Sequence, residues 1–496
     1  MKRTSVRLLT VAAMLATVFA LAAPQGSAAA SQTYVVLYKG TAVPADAARS
    51  IARAGGELVI AYDQIGVAIA RSSSSSFRDA IARDSRVEGA SSTAKLGSKI
   101  NDVETEAGNT AEAEGPVDSS AEPLWNHQWD MRQIRADAAH QITGGSSSVL
   151  VADLDTGLDF THPDIAPNYD ATNSTDCSSG TPQPLVAGND QNGHGTHTAG
   201  TIAAAANDIG IVGVAPNVKI AGVKSSNDDG FFFPEMVICA YIWVATHNVD
   251  ITNNSYFADP WLYNCRNDAE QRAIWKAEQR AVRYAQSRGT LVVSSAGNEN
   301  QDKSKTNTDT ISPDFPDGAA QEREVTNACL TVPSDLPGVV GVSATGYNGD
   351  KAYYSNYGVS AIDVTAPGGD RRFQIPPATG NGRVLSTYPA YLPASANSVL
   401  DCSVAPCARY EYLQGTSMAG PHAVGVAALI FSVLGNDASP GSVAARLGNT
   451  AESKPCPPNP FNPGPPFDFA AHCTGGSGSN SFYGKGEVDA LSAIGG

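Results

Sequence analysis

Gly415-Thr416-Ser417-Met418-Ala419-Gly420-Pro421-His422 sets a serine among small residues, directly ahead of a long apolar run. Two shorter stretches upstream complete its reading: Asp153-Leu154-Asp155-Thr156-Gly157 and Gly193-His194-Gly195-Thr196-His197. A carboxylate, an imidazole and a hydroxyl therefore follow one another in the chain order Asp, His, Ser, each close to glycine. A serine hydroxyl is a poor nucleophile at neutral pH and needs an adjacent base. Histidine, with an ordinary pKa of about 6.5, suits that task. A buried carboxylate then fixes the imidazole tautomer and stabilises the imidazolium that forms. On this chemistry Ser417 is the expected nucleophile, His194 the general base and acid, and Asp155 the orienter. Activity is expected to fall on the acid side as His194 takes up a proton. His197 and His422 lie in the same motifs and read as satisfied, partly buried structural histidines.

Around these motifs, strands and helices alternate from Trp125 onward. Strands are expected at 149–155, 219–223, 250–253 and 290–295, and helices at 195–206, 235–247 and 268–288, the last closed by Gly289. Such alternation implies a parallel sheet with helices on both faces. Sites in open parallel sheets form at the carboxyl ends of strands. Asp155 ends its strand, and Asn298 closely follows another. The run Val424–Leu434 reads as a buried core helix, and no stretch after the N-terminus reads as long enough to span a bilayer.

Net charge is −16, which argues against nucleic acid or an anionic membrane surface as a partner. With 47 glycines, 30 prolines and 17% charged residues, the chain is loop-rich but globular. Lys2, Arg3 and Arg7 precede an apolar run from Leu8 to Ala23, and Ala28-Ala29-Ala30 offers a small-residue cleavage site. This is a secretory signal pattern, so a secreted, extracellular protein is expected, with no membrane attachment once the signal is removed. Eight cysteines in an exported chain favour disulfides. The local pairs Cys402–Cys407 and Cys456–Cys473 are expected. Cys177, Cys239, Cys265 and Cys329 remain, with Cys239 in an apolar helical pattern that would suit a buried free thiol. The segment Asn101–Glu122 holds seven acids and no Lys or Arg, and reads as a linker where proteolytic processing would concentrate.

From about Trp125 to its C-terminus the chain resembles the subtilisin family of serine endopeptidases, whose triad follows the same Asp, His, Ser order. Further motifs carry the resemblance: His162-Pro163-Asp164, Gly213-Val214-Ala215-Pro216, Ala296-Gly297-Asn298, Thr365-Ala366-Pro367-Gly368 and Gly484-Lys485-Gly486-Glu487-Val488-Asp489-Ala490. The rival esterase elbow, Gly-x-Ser-x-Gly, is absent: the second glycine falls one place late. Residues 32–96, with a βαββαβ-like pattern, resemble the inhibitory propeptide domain of such precursors. The resemblance implies an α/β fold of three layers, with a mainly parallel sheet flanked by helices, preceded by a small α+β domain. The expected divisions are a signal peptide at 1–30, a propeptide domain at 31–97, an acidic linker at 98–122 and a catalytic domain at 123–496. It further implies an autoprocessed monomer acting on protein or peptide substrates, held by its own propeptide, with no cofactor required for the chemistry.

The resemblance also assigns residues. Asn298 matches the asparagine that stabilises the oxyanion, a donor worth about 2.7–4 kcal/mol in subtilisin itself. Ser255, Tyr256 and Phe257 match the edge segment that pairs with an extended substrate, and Ser295, Ala296 and Gly297 match the facing wall of the first pocket. Phe257 stands where the family usually has glycine. Asp164, Asn207 and the carbonyls of Ala205, Ile209 and Ile211 match a structural calcium site, with Glu122 or Gln128 as its N-terminal ligand. Segments Gln301–Pro337, Asp370–Tyr412 and Pro455–Phe469 depart from the small members, and Asn173 and Asn253 open glycosylation sequons.

Asp153 is the unusual acid. The family generally has an apolar residue there. Strand side chains alternate, so positions 153 and 155 share a face, and two carboxylates on one buried face disfavour joint ionisation. Two readings stay open. Asp153 either tunes the Asp155–His194 pair or is neutralised by a specific Lys, Arg or bound ion, or it turns to a polar pocket and serves only packing.

Overall fold

The computed structural model describes residues 31–93, 122–259, 261–313, 320–435, 438–465 and 468–496. The signal segment expected at 1–30 and nearly all of the acidic linker lie outside the described residues. Among those described, seven strands form one parallel sheet: β5 (Leu150–Asp155), β6 (Thr175–Asp176), β7 (Lys219–Lys224), β8 (Ile251–Asn254), β9 (Leu291–Ser295), β10 (Val339–Thr345) and β11 (Val364–Pro367), in the order β11-β10-β9-β8-β5-β7-β6. The chain leaves β5 toward β7 on one side and then returns to build β8 on the other. β5 therefore ends at the point where the strand order reverses, where such sheets form their sites.

The alternation along β5 decides what faces what. Val151 packs with the helices α3 (His194–Ala203) and α6 (Thr416–Leu434), while Ala152 and Leu154 pack with α4 (Pro234–Thr246) and α5 (Ala269–Ser287) on the opposite face. The three-layer arrangement expected from the alternating pattern is present. Helix α5 starts where the Asp268 carboxylate accepts from the N–H groups of Glu270 and Gln271, capping two orphan donors. Helix α6 starts eight residues before Val424 and is long and apolar enough to cross a bilayer, contrary to expectation. It is nonetheless a core helix, buried on all sides, with Ala419, Ala423, Val426 and Leu429 packed in one apolar cluster. Gly425 lets it close on Val214, whose Cβ would lie 2.4 Å from a methyl there.

All eight cysteines are paired. The two local disulfides form as expected, and Cys239 is joined to Cys177 rather than left as a thiol, because α4 passes over the end of β6. Cys265 pairs with Cys329 across a short antiparallel bridge. The insertion at 370–412 folds into a three-stranded antiparallel sheet, Val384–Thr387, Ala408–Leu413 and Ser398–Asp401 in spatial order, laid against α3.

Ahead of all this stands a separate sheet in the order β2-β3-β1-β4: β1 (Gln32–Tyr38), β2 (Glu57–Tyr62), β3 (Val67–Ser72) and β4 (Val87–Ser92). Its two helices, α1 (Ala47–Arg53) and α2 (Phe77–Ile81), cover one face. Val36, Tyr38 and Ala68 point into that core, and the alternate residues Val35, Leu37, Val67 and Ile69 pack with α4 and α5 of the large part.

Candidate active site

The end of β5 and the start of α3 carry the first two residues. The Asp155 carboxylate accepts from the Thr156 N–H at 2.7 Å and meets His194 Nδ1 at 2.8 Å, with both side chains buried. Burial pushes the Asp155 carboxyl up, and the adjacent His194 pulls it back. Two glycines make the approach feasible. A Cβ on Gly195 would lie 2.2 Å from the Gly157 carbonyl oxygen. Gly193 has φ 91°, and a Cβ there would meet the Tyr388 ring at 2.3 Å.

Sequence reading missed the residue that ties this corner together. Asp190 accepts from Gly193 N (2.7 Å) and Thr156 Oγ1 (2.9 Å) on one oxygen, and from Thr196 N (2.9 Å) and Thr196 Oγ1 (2.6 Å) on the other. It fastens the end of β5 to the first turn of α3 and satisfies a helix N–H that no N-cap side chain reaches. An acid four residues before the histidine, in a polar loop, was the available signal. Tyr388 and Tyr391, from the 370–412 insertion, donate to the carbonyls of Asn192 and Asp190 at 2.8 and 3.0 Å.

Ser417 is the second residue of α6 and is buried. Its Oγ donates to the Ser255 carbonyl at 3.1 Å. Asn298 is locked to the same helix end: its Oδ1 accepts from Thr416 N and Thr416 Oγ1, both at 2.9 Å, while Gly297 N donates to Thr416 Oγ1 at 3.0 Å. The loop after β9 is thus hydrogen-bonded to the residue before Ser417, and α3 and α6 pack against each other. The structure brings Asp155 with His194, and Asn298 with Ser417, to one end of the parallel sheet.

The expected substrate edge is built differently from a simple slot. Tyr256 is buried, stacked on Phe232 at 4.2 Å, with its hydroxyl 3.2 Å from Asn254 Oδ1. Phe257 packs with Leu262, Tyr263 and Cys265, toward the insertion that follows Gln301. Ser295 is buried; the Ala296 carbonyl accepts from Asn356 Nδ2 at 3.1 Å, and Gly297 has φ 100°. His422 is satisfied on both ring nitrogens, by the Met418 carbonyl and Asp130. His197 places Nε2 3.0 Å from the Glu411 carbonyl, but its buried Nδ1 has no partner among the described residues.

The loop expected to hold calcium lies beside Asp164. Ala205 N donates to the Asp164 carbonyl (2.8 Å), and Asp164 Oδ2 accepts from Tyr410 Oη (2.8 Å) and Ile211 N (3.2 Å). Asn207 Oδ1 accepts from Ile209 N (3.1 Å), and Glu122 Oε1 accepts from Asn207 N (3.0 Å). Gln128 is spent on the two backbone groups of Val212. Asp164 Oδ1 and Glu122 Oε2 are buried with no donor, an oxygen-rich pair that suits a hard cation and favours Glu122 over Gln128. No group of three or more His, Cys, Asp or Glu capable of holding a metal occurs among the described residues.

The sequence profile of the Subtilase family matches residues 146–486. Subtilisin BL of Lederbergia lenta is 30% identical over 303 residues, covering 61% of this chain and 83% of that protein. Fervidolysin of Fervidobacterium pennivorans is 28% identical over 349 residues, 66% of this chain but only 41% of its own length. Among solved structures, a lanthipeptide protease superposes with a TM-score of 0.57 at 27% identity, over 75% of this chain and 94% of that one. The epidermin leader peptide processing serine protease of Staphylococcus aureus superposes with a TM-score of 0.67 at 21% identity, over 94% and 98% of the two chains; at that identity the likeness speaks for the fold.

Proposed function

The chain belongs to the subtilase family of serine endopeptidases, and on that premise we propose that it is a secreted, self-processing enzyme whose chemistry runs through Asp155, His194 and Ser417. The observation that carries this reading is the buried Asp155–His194 bond of 2.8 Å at the same sheet end where Asn298 is locked beside Ser417. His194 takes the Ser417 proton as Oγ attacks the scissile carbonyl, and Asp155 stabilises the imidazolium. Negative charge then develops on the former carbonyl oxygen. Asn298 and the Ser417 N–H are the donors assigned to it. His194 returns the proton to the leaving amine, and water resolves the acyl-enzyme by the same route. Subtilases need no cofactor for this chemistry.

Protein or peptide segments are the proposed substrates, paired along Ser255–Phe257 and facing Ser295–Gly297. The β1–β4 domain is proposed as the propeptide and intramolecular inhibitor, released after a cut before the catalytic part. Calcium at Asp164 and Glu122 is proposed as structural only. At 100-fold excess over its dissociation constant it would stabilise the fold by about 2.7 kcal/mol. A chelator should therefore lower Tm in the wild type but not in Asp164→Asn, and equal Tm with and without chelator would remove the calcium assignment.

Ser417→Ala tests the whole reading. In subtilisin, loss of the nucleophile costs about 2 × 10⁶ in kcat. The variant should lose fluorophosphonate labelling and casein hydrolysis, and accumulate with residues 31–93 still attached. Maturation of this variant in a protease-free host would sink self-processing; undiminished labelling would sink the nucleophile.

A further inference from the structure

Pro421 sits inside α6, four residues after Ser417, and has no N–H. The Ser417 carbonyl therefore has no donor from its own helix at that position. Ser255 supplies one: its Oγ donates to the Ser417 carbonyl at 3.0 Å. A hydroxyl has a single hydrogen, so Ser255 Oγ must accept from its other neighbour, Asn253, whose Nδ2 lies 3.1 Å away. That orientation of the Asn253 amide is set in turn by Asp153, whose Oδ1 accepts from the same Nδ2 at 2.8 Å. The four side chains and carbonyls form one directional chain, buried throughout.

We propose that Asp153 is a positioning residue that, through Asn253 and Ser255, holds the main-chain carbonyl of the nucleophile Ser417. Ser417 Oγ itself bonds the Ser255 carbonyl, so the same segment is fastened at two points. The proposal rests on Ser417 being the nucleophile.

Geometry also accommodates the neutral form of the acid. Thr198 Oγ1 lies 2.7 Å from Asp153 Oδ2, but also 3.0 Å from the Gly195 carbonyl and 3.3 Å from the His194 carbonyl. Thr198 donates to Asp153 while the acid is charged; when Asp153 is protonated, the Gly195 carbonyl takes that hydrogen and a Thr198 lone pair accepts from the acid. The surroundings agree. On its own strand Asp153 faces Asp155, and from α3 it faces His194, which is already paired with Asp155. Strand β8 offers only neutral Asn253, and β7 places Gly222 opposite, with Lys224 one step away bonded to the carbonyls of Thr156 and Asn189. The one titratable side chain of α6 is His422, paired with Asp130. No Lys or Arg bonds Asp153 among the described residues, and burial beside Asp155 pushes its carboxyl well above the usual range. A protonated Asp153 donates to Thr198 and accepts from Asn253, so every member of the chain is satisfied.

Asparagine reproduces that pattern, with an amide N–H for Thr198 and a carbonyl for Asn253; valine reproduces the bulk alone. On the mature enzyme with a peptide substrate, Asp153→Asn should keep kcat within about threefold and leave the acid limb of the pH profile in place. Asp153→Val should lower kcat at least tenfold with a smaller change in KM, and Ser255→Ala, which breaks the last link away from the buried strand, should do the same. The double variant should lose no more than the worse single one, the non-additivity of a shared chain. An acid limb displaced to lower pH in Asp153→Asn would mean the carboxylate is charged and would overturn the assignment. Full kcat in Asp153→Val, or additive losses, would overturn the positioning role. If Asp153→Val does not fold, Ser255→Ala with unchanged kcat is the overturning result. A wild type that fails to label with fluorophosphonate would instead remove the function reading beneath it.

Discussion

At the scale of single residues, the candidate site depends on groups that never touch substrate. Asp190 is the clearest: five donors from three segments end on one buried carboxylate. Replacing it with alanine takes the acceptor from the Asn192, Gly193 and Thr196 N–H groups, at about 1–3 kcal/mol for each one left buried and unpaired. Asp190→Ala should therefore lower stability by several kcal/mol and lower kcat by displacing His194, read as a fall in denaturant midpoint and in turnover together. A variant with wild-type midpoint and reduced kcat would show that the clamp serves only alignment. The three residues assigned to the chemistry stand out in the sequence because their neighbours are constrained: glycine is needed wherever α3 crowds β5. Asp190 does not, since an acid in a polar loop looks the same whether it binds solvent or five donors. Asp153 was legible as an anomaly, but only the Pro421 gap and the Ser255 hydroxyl supply its purpose.

At the scale of elements, the sheet and its helices followed from alternation and periodicity, and the errors fell at ends and insertions. Helix α6 was read short because its first turns contain Gly420 and Pro421, poor helix formers that the packed core tolerates. The pairing of Cys239 stays open in the sequence because its partner lies 62 residues away, a pairing set by topology rather than by spacing. The 370–412 sheet had no reading, yet it supplies Tyr388 to the histidine loop and Tyr410 to Asp164. The turn after β10 carries a prediction of its own. Lys351 is buried, its Nζ 2.7 Å from Asn300 Oδ1, and burial pulls its pKa down to about 7. An unfolded lysine titrates near 10.4. The folded value is depressed, so this residue's contribution to stability is present above that unfolded value and is lost as pH falls toward 7. Lys351→Met should remove this component, and the difference in denaturation midpoint between variant and wild type should vary between pH 10 and 7. A constant difference across that window would contradict the buried, uncharged lysine.

At the scale of the whole molecule, the β1–β4 sheet uses both faces, one on its own helices and one on α4 and α5. Arg280 of α5 fastens it, donating from one nitrogen to the carbonyls of Tyr38 (2.9 Å), Ile65 (3.0 Å) and Gly40 (3.1 Å). Lys276 and Arg280 both meet Glu88, and Arg78 meets Glu270. Glu235 is buried at the same junction, beside Thr93 and Arg71, and burial raises its carboxyl. A raised acid favours the docked state at low pH, and that advantage is lost as pH rises through the docked value. Arg280→Ala should speed release of the domain from a nicked, Ser417→Ala protein, and release in the wild-type interface should be slower at pH 5 than at pH 8. Equal rates at both pH values would exclude Glu235 from the junction's energetics. The four disulfides join residues from 177 onward and none reaches the small domain. The backbone through 94–121 is thus its one covalent tether. While that tether is intact, re-docking is intramolecular, at a local concentration of order millimolar. Once it is cut, re-docking becomes bimolecular, so dilution should lower the fraction of cut protein that keeps its small domain docked.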